Sequence, residues 1–524
     1  MLYYPNLRTV ASVAGFHASR APGTTAIICS GRPVTYAQLH RESNRVAHAI
    51  SAAGLPPGSR VAYLGKESEH YYEILFGAAK SGTVLVPVNW RLTAGEVDYV
   101  LRDSGSRLLF AEHVFAKTAA KVQADLPELD TIVELDPPRE SDGGYAAWKA
   151  DQPDGDLAPG TGPDDPIVQL YTSGTTGLPK GVVLAQRSFF AIRDALAGEG
   201  LDWVDWRTGD RSLIAVPGFH VGGLWWAMQG FSAGITNVAM PSFDSTVALR
   251  LIRDLGITTT CMVPSMLRLL LAEPGVRSAD FTTMRKIVYG GSPMAETLLK
   301  EAIDVCGASF AQFYGLTETG NTAVCLPPAD HIPGSPRLRA AGRPYPGVQV
   351  KIIDVDGSPL PPGDIGEICL HTPARMLEYW RNPAATARTL ADGWIHTGDA
   401  GYLDADGYVY ISDRIKDMII VAGEKIYPAE IENALAKHPA VAEAAVVGIP
   451  DSRFGEAVCA FVARRPGHQA GPGELMVFLK DSLAAFKIPS RFEFVDQVPR
   501  NPSGKILRRQ LRDQFWRDRD RQVN

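Results

Sequence analysis

Apolar positions recur at helical spacing through TYAQLHRESNRVAHAISAAG (35–54) and stop at Gly54. The pattern predicts an amphipathic helix closed by a glycine. RVAYLG (60–65), TVLVPVN (83–89) and SRLLFAE (106–112) are short unbroken apolar runs, as expected of strands covered on both faces. This alternation across residues 1–150 predicts βαβ units and a parallel sheet. Further strand-like runs fall at 166–170, 182–184, 212–216, 258–263, 286–289 and 348–353. From GEICL (366–370) the rhythm shortens, and YLDADGYVYISD predicts a hairpin through Asp406-Gly407. Beyond about residue 416, AEIENALAKH, VAEAAVVGIP, AVCAFVARR and LMVFLKDSLAAF predict a small α+β module. The Gly-, Pro- and Asp-rich stretch 139–165 reads as a surface connection. The fold class is therefore α/β: a large N-terminal domain of α/β layers with parallel sheets and a β-rich subdomain, followed by a small α+β domain.

Length supports the division, because 524 residues exceed what one core accommodates. A net charge of −6 offers no basis for nucleic-acid or anionic-membrane binding. The basic runs Arg508-Arg509 and Arg517 to Arg521 are interleaved with acids and read as solvated helix faces. Six cysteines (29, 261, 306, 325, 369, 459) lack any CxxC pair, the expectation for reduced thiols in a cytoplasmic enzyme. The start, MLYYPNLRTV, has no signal-peptide pattern, and no apolar run approaches the roughly 18 residues of a membrane span.

Candidate chemistry begins at YTSGTTGLPKGVV (171–183), between two apolar segments. A connecting turn needs one or two glycines, whereas this loop adds hydroxyls and a lysine. Its glycines let backbone N–H groups approach a ligand closely. Walker A spacing fails: the fifth residue after Gly174 is Pro179, and Lys180 is followed by Gly181. The loop reads as a phosphate cradle of another kind.

Further stretches follow in order: YGGSPM (289–294), QFYGLTETG (312–320), GWIHTGDAG (393–401), DRIKDMIIVAGEKIYPAEIE (413–432) and PRNPSGKILRR (499–509). Each alone admits a plainer reading, with Tyr314 a core aromatic, Thr317-Glu318 a helix cap, Asp399 a turn former and Lys505 an exposed tail lysine. Together, from about residue 10 to about 510, they resemble the adenylate-forming superfamily of acyl-CoA synthetases, peptide-synthetase adenylation domains and beetle luciferases. Within it the chain is most similar to stand-alone acyl- or aryl-CoA ligases.

The resemblance implies two half-reactions: a carboxylic acid and ATP give acyl-adenylate and pyrophosphate, and the thiol of coenzyme A then displaces AMP. By the same resemblance, Thr172, Ser173, Gly174, Thr175, Thr176, Gly177 and Lys180 grip the phosphates. Gly291, Ser292 and Pro293 line the adenine slot, with Tyr314 stacking on the base, and Gln312, Phe313 and Gly315 join the ATP/AMP-binding residues. Thr317 bonds the α-phosphate and Glu318 holds Mg²⁺. Asp399 accepts the ribose hydroxyls, supported by Arg414. Lys505 bridges the acyl carboxylate and the α-phosphate as the catalytic cation. His220 gates the carboxylate site, and Val221, Gly222, Trp225 and Gly290 belong to the acyl and CoA side, with at least one of Trp225 and Trp226 simply core. Gly423 flanks a pantetheine tunnel. The implied domains are 1–415, which binds AMP, and 416–524, which is mobile and hinges at Lys416.

Small departures from the family pattern stand at Gly218, where a larger apolar residue is usual, at Gln186, where histidine is common, and at Ala422, which replaces a glycine. A separate carrier protein is the rival acceptor. KDSLAAF (480–486) contains the Asp-Ser-Leu of a carrier's modified serine but lacks its preceding glycine, so no built-in carrier is read. A non-catalytic ligand-binding relative is the remaining alternative, and the joint presence of Lys180, Thr317, Glu318, Asp399, Arg414 and Lys505 argues against it. A hydrophobic acid is the expected substrate.

Overall fold

The computed structural model describes residues 2–136, 143–157, 160–172, 178–201, 204–292, 294–421, 424–451, 453–480, 482–500 and 506–516. The 35–54 pattern forms the helix Tyr36–Ala52. Thr35 and Gln38 close its first turn as a reciprocal capping box, which satisfies two backbone donors at the helix start. Leu39, Val46, Ala47 and Ile50 form its buried stripe.

Among the described residues, seven strands form one sheet in the order Glu378–Tyr379, Lys180–Ala185, Pro166–Thr172, Val84–Val88, Arg60–Leu64, Leu108–Glu112 and Thr131–Leu135. The runs at 60–65, 83–89 and 106–112 pair in parallel, as their unbroken hydrophobicity predicts. A second sheet of nine strands centres on Arg211–Ile214, Thr259–Met262, Lys286–Gly290 and Ser309–Tyr314, also in parallel. The strands Thr25–Cys29 and Arg32–Thr35 join this second sheet rather than the first. Neighbouring segments in sequence thus part company in space.

The β-rich subdomain pairs Gln349–Ile353, Gly366–His371, Trp394–Leu403 and Val409–Arg414. Its hairpin turns at Asp406-Gly407, with Leu403 opposite Val409 and Gly407 in the left-handed region. The C-terminal module has a sheet of its own, led by Val441–Asp451 against Gly455–Arg464, with the helix Pro428–Leu435 across it. Ile431, Leu435, Val446, Val458 and Leu475 belong to its separate buried core.

Two sequence expectations need correction. The 139–165 connection contains a helix, Tyr145–Ala150, whose Tyr145 and Lys149 are buried. Both side chains donate to Glu73 (2.8 and 2.6 Å), and that polar anchor draws a Gly/Pro-rich segment inward. Arg508 does not lie on a solvated face. It donates from Nη2 to both oxygens of Glu432 (2.8 and 2.7 Å), whereas Arg509 is exposed. Gln186 also gains an account: it is buried, and its Oε1 accepts from the backbone N–H groups of Val10 and Ala11, capping the helix Val10–Arg20. Among the described residues, no helix is long and apolar enough to cross a membrane.

Candidate active site

The phosphate-side residues stand at strand ends. Thr172 closes one strand, Lys180 opens the next, and the two are register partners in an antiparallel pair. The chain between them therefore leaves and returns at one place. Residues 173–177, which include Ser173, Gly174, Thr175, Thr176 and Gly177, lie outside the described residues. Lys180 extends its ammonium over the ring of Tyr379, 4.5 Å from the centroid. The hydroxyl of Tyr379 donates to Glu318 Oε1 at 2.5 Å. Glu318 sits in the turn Thr317–Thr319, fixed where its carbonyl accepts from Met376 N–H and where Thr319 Oγ1 accepts from Leu316 N–H. A cation, an aromatic hydroxyl and a carboxylate thus meet at the end of the seven-stranded sheet.

The nucleoside side converges on Asp399. Tyr314 donates to its Oδ2 and Arg414 Nε to its Oδ1, both at 2.7 Å. Asp399 and Arg414 are register partners on adjacent strands, so the sheet itself sets their separation. Burial pushes the Tyr314 hydroxyl well above its ordinary range, and the Asp399 carboxylate adds to the rise, so the phenol remains a donor. Arg414 lies within electrostatic range of Glu318 as well as Asp399, which makes the two groupings neighbours. Gly290 closes the strand beside Phe313. A Cβ on Gly290 would lie 2.6 Å from the Phe313 carbonyl, so only glycine permits this approach. Gly291 follows in the left-handed region, with Ser292 beside it, and Gln312, Phe313 and Tyr314 form the neighbouring strand that leads into Gly315. Pro293 lies outside the described residues.

On the acyl side, His220 is the N-cap residue of the helix Val221–Ala233. The loop before it is held by a carboxyl group. Gly218 N–H donates to Glu67 Oε2 at 2.9 Å, Tyr72 donates to Glu67 Oε1, and Tyr71 donates to the Gly218 carbonyl at 3.0 Å. A Cβ on Gly218 would fall 2.7 Å from the Tyr71 ring, so Tyr71 fills the volume that a larger residue at 218 would need. Burial pushes the Glu67 carboxyl up to about 7 against the two hydrogen bonds that favour its charge. Gly222 faces Asn321 and Phe313, and the Trp225 ring packs on Phe313 with centroids 5.5 Å apart. Trp226 is the core tryptophan, packed against Trp206 at 5.1 Å. Gly222, Phe313 and Trp225 are therefore brought together just after His220, while Val221 is half-buried at the helix start.

On the C-terminal side, Lys416 lies in the turn Ile415–Asp417, directly after Arg414. The buried Asp413 accepts from Arg414 N–H (2.7 Å) and from Ala429 N–H (2.8 Å), joining the last strand of the subdomain to the start of the next helix. Lys505 and Gly423 lie outside the described residues. The residues on either side of 501–505, Arg500 and Ile506, are bridge partners, and Arg500 pairs with Glu443. The chain around Lys505 thus starts and ends on the C-terminal module.

Three contributors escape the sequence patterns. Tyr379 lies in a two-residue strand paired with Lys180–Ala185, and no motif spacing points to it. Glu67 is one of several charged residues in the polar link GKESEH (65–70) between an apolar strand and a helix, and nothing in the pattern singles it out. Glu432 belongs to a quoted motif, but only its contact with Arg508 reveals its task.

The description "AMP-binding enzyme" matches residues 16–380, and "AMP-binding enzyme C-terminal domain" matches 430–505. Over 524 residues the chain is 65% identical to a fatty acid–[acyl-carrier-protein] ligase, ScoC, of Streptomyces coeruleorubidus, covering 100% of this chain and 99% of that one. It is 37% identical to a feruloyl-CoA synthase of an Amycolatopsis species over 95% of this chain and 97% of the relative. The ATP-bound crystal structure of MatB from Rhodopseudomonas palustris superimposes with a TM-score of 0.88 at 30% identity, covering 97% of this chain and 99% of that one.

Proposed function

The chain belongs to the AMP-binding enzyme family, and from that premise we propose that it activates a fatty acid with ATP and transfers the acyl group to the pantetheine thiol of a separate carrier protein. The carrier is favoured by the 65% identity to a ligase of that kind over the full length of both chains. The second reading, transfer to free coenzyme A, has the support of a feruloyl-CoA synthase at 37% identity.

One observation carries the adenylation: the Asp399–Tyr314–Arg414 junction lies beside the Lys180–Tyr379–Glu318 series. An ionised carboxylate fixed at both oxygens keeps further lone pairs for two ribose hydroxyls. Lys180, with Thr172 and residues 173–177, takes the phosphates. Gly291, Ser292 and the strand Gln312–Tyr314 flank the base. The chemical obstacle is repulsion between a carboxylate and a polyphosphate, and fixed positive charge lowers it. Mg²⁺ in such sites takes one or two carboxylates and completes its shell with phosphate oxygens and water, a donor set that Glu318 and a triphosphate supply. When bound, the ion neutralises phosphate charge. Glu318 is held for that role by the Tyr379 hydroxyl, and Thr317 beside it faces the α-phosphate.

Lys505 brings the last cation to the acyl carboxylate. It then withdraws as residues after Lys416 rotate, so that the thiol reaches the same carbonyl past His220 and Gly423. The Glu67 carboxyl and the Tyr71 hydroxyl hold the loop that precedes His220, and Trp225 with Phe313 walls the acyl side. Pyrophosphate release with a panel of carboxylic acids tests the first half-reaction, and no release with any acid overturns it. Product mass with a phosphopantetheinylated carrier or with CoA then separates the acceptors: acyl-carrier is expected, and acyl-CoA alone selects the second reading.

A further inference from the structure

Away from the phosphate side, the strands Gly366–His371 and Trp394–Leu403 bring a carboxylate, a thiol and an imidazole to one face. Cys369 and His396 are register partners, and Glu367 lies two residues along from Cys369, so all three side chains project alike. His396 Nδ1 stands 3.2 Å from Glu367 Oε2 and 3.6 Å from Cys369 Sγ. All three donor atoms lie within 4.8 Å of one another. Among the described residues, no other trio of His, Cys, Asp and Glu meets that closeness.

We propose that Glu367, Cys369 and His396 form a binding site for a zinc-class divalent ion. Zinc bonds of about 2.3 Å to sulfur and about 2.0–2.1 Å to nitrogen and oxygen, at tetrahedral angles, require donor separations of about 3.3 Å for N–O and about 3.6 Å for N–S. The observed separations match both edges, and the sulfur–oxygen edge closes by a side-chain adjustment. Thiolate, imidazole and carboxylate together suit zinc rather than magnesium or calcium, which favour all-oxygen sets. The remaining carboxylate oxygen, Glu367 Oε1, accepts from Gly398 N–H at 2.9 Å, which orients the carboxylate from outside the ligand set. Glu367 and His396 are 23% and 31% exposed, giving an entry path and room for a water as fourth ligand, whereas Cys369 is buried at the inner side. The nearest cation across the sheet, Lys351 opposite Cys369, lies over the Trp394 ring at 4.3 Å. A bound ion would clamp the two strands three residues from Asp399.

A glutamate–imidazole pair with a neighbouring thiol has the same side chains and no ion, so the test must see the sulfur–metal bond. The metal-free full chain is titrated with Co²⁺ and followed by absorption. One equivalent with a thiolate-to-cobalt charge-transfer band and tetrahedral visible bands is expected. The band disappears in Cys369→Ser, and in Glu367→Gln, which loses a charged ligand, it survives with weakened metal affinity. Should Cys369→Ser fail to fold, judged by its metal-free melting curve, His396→Gln replaces it, with the same loss expected. No charge-transfer band in the unmodified chain, or a band that persists without Cys369 or His396, overturns the site. None of these readouts depends on catalytic activity.

Discussion

The nucleotide-side cluster and the C-terminal module solve opposite problems with similar charged groups. Around Asp399, the guanidinium of Arg414 is fixed by sheet register, and the hydroxyl of Tyr314 by the packing of the neighbouring nine-stranded sheet, before any ligand arrives. Such preorganisation suits the role proposed for this region, holding the nucleotide through two half-reactions. The C-terminal module has its own hydrophobic core. One of its ion pairs faces inward: Arg508 grips Glu432, and Glu432 also accepts from Val446 N–H at 2.7 Å. These contacts tie helix 508–516, helix 428–435 and strand 441–451 together, as the proposed rotation of the module requires. One region spends its charges on the ligand, and the other on its own integrity. In the proposed reaction the catalytic cation, Lys505, belongs to the second region of the sequence and the nucleotide to the first.

The sharpest way to break this contrast is Lys505→Ala. Acyl-adenylate formation should fall by at least about 10²–10³-fold, while thioester formation from supplied acyl-adenylate stays nearly intact. Pyrophosphate release and single-turnover transfer measure the two steps separately, and equal loss of both contradicts a division of labour between the regions.

Arg508→Met attacks integrity instead. It leaves Glu432 without its partner inside the module, which should cost on the order of 3 kcal/mol. Limited proteolysis should then cut the C-terminal module first while nucleotide binding by the main body persists. Loss of nucleotide binding in parallel would mean that the two regions are one cooperative unit.

A subtler prediction concerns Glu67, whose carboxyl is raised from about 4.5 to about 7 by burial. Folding then takes up a proton between those values. Stability should fall as pH rises through that window, with the full penalty present above it. Glu67→Gln keeps a neutral hydrogen-bonding group and removes the titration. Its melting temperature should be flatter across that range, a difference on the order of 2–3 kcal/mol at neutral pH. Parallel pH curves for both proteins would refute the assignment.

Much of the architecture was legible because it follows periodicity. Unbroken apolar runs at 60–65, 83–89 and 106–112 became parallel strands, and the Asp406-Gly407 hairpin formed where its turn chemistry demanded. The ordered motifs likewise marked the family and nominated Lys180, Glu318, Asp399 and Arg414, because phosphate and ribose chemistry constrains residue type and local spacing. Local pattern also has a fixed reach. It gave no sign that Thr25–Cys29 pairs in the second sheet, far from its sequence neighbours, and it left Arg508 on a solvated face.

What the residue order determined by itself is the set of elements and the chemical groups on offer, since both depend on neighbours within a few positions. Tertiary structure alone decided which groups meet. Tyr379 reaches Glu318 across 61 positions, Glu67 holds Gly218 across 151, and Tyr314 meets Asp399 across 85. No periodicity encodes such pairs, because they arise from packing separate sheets against one another and from the low cost of closing long loops between them.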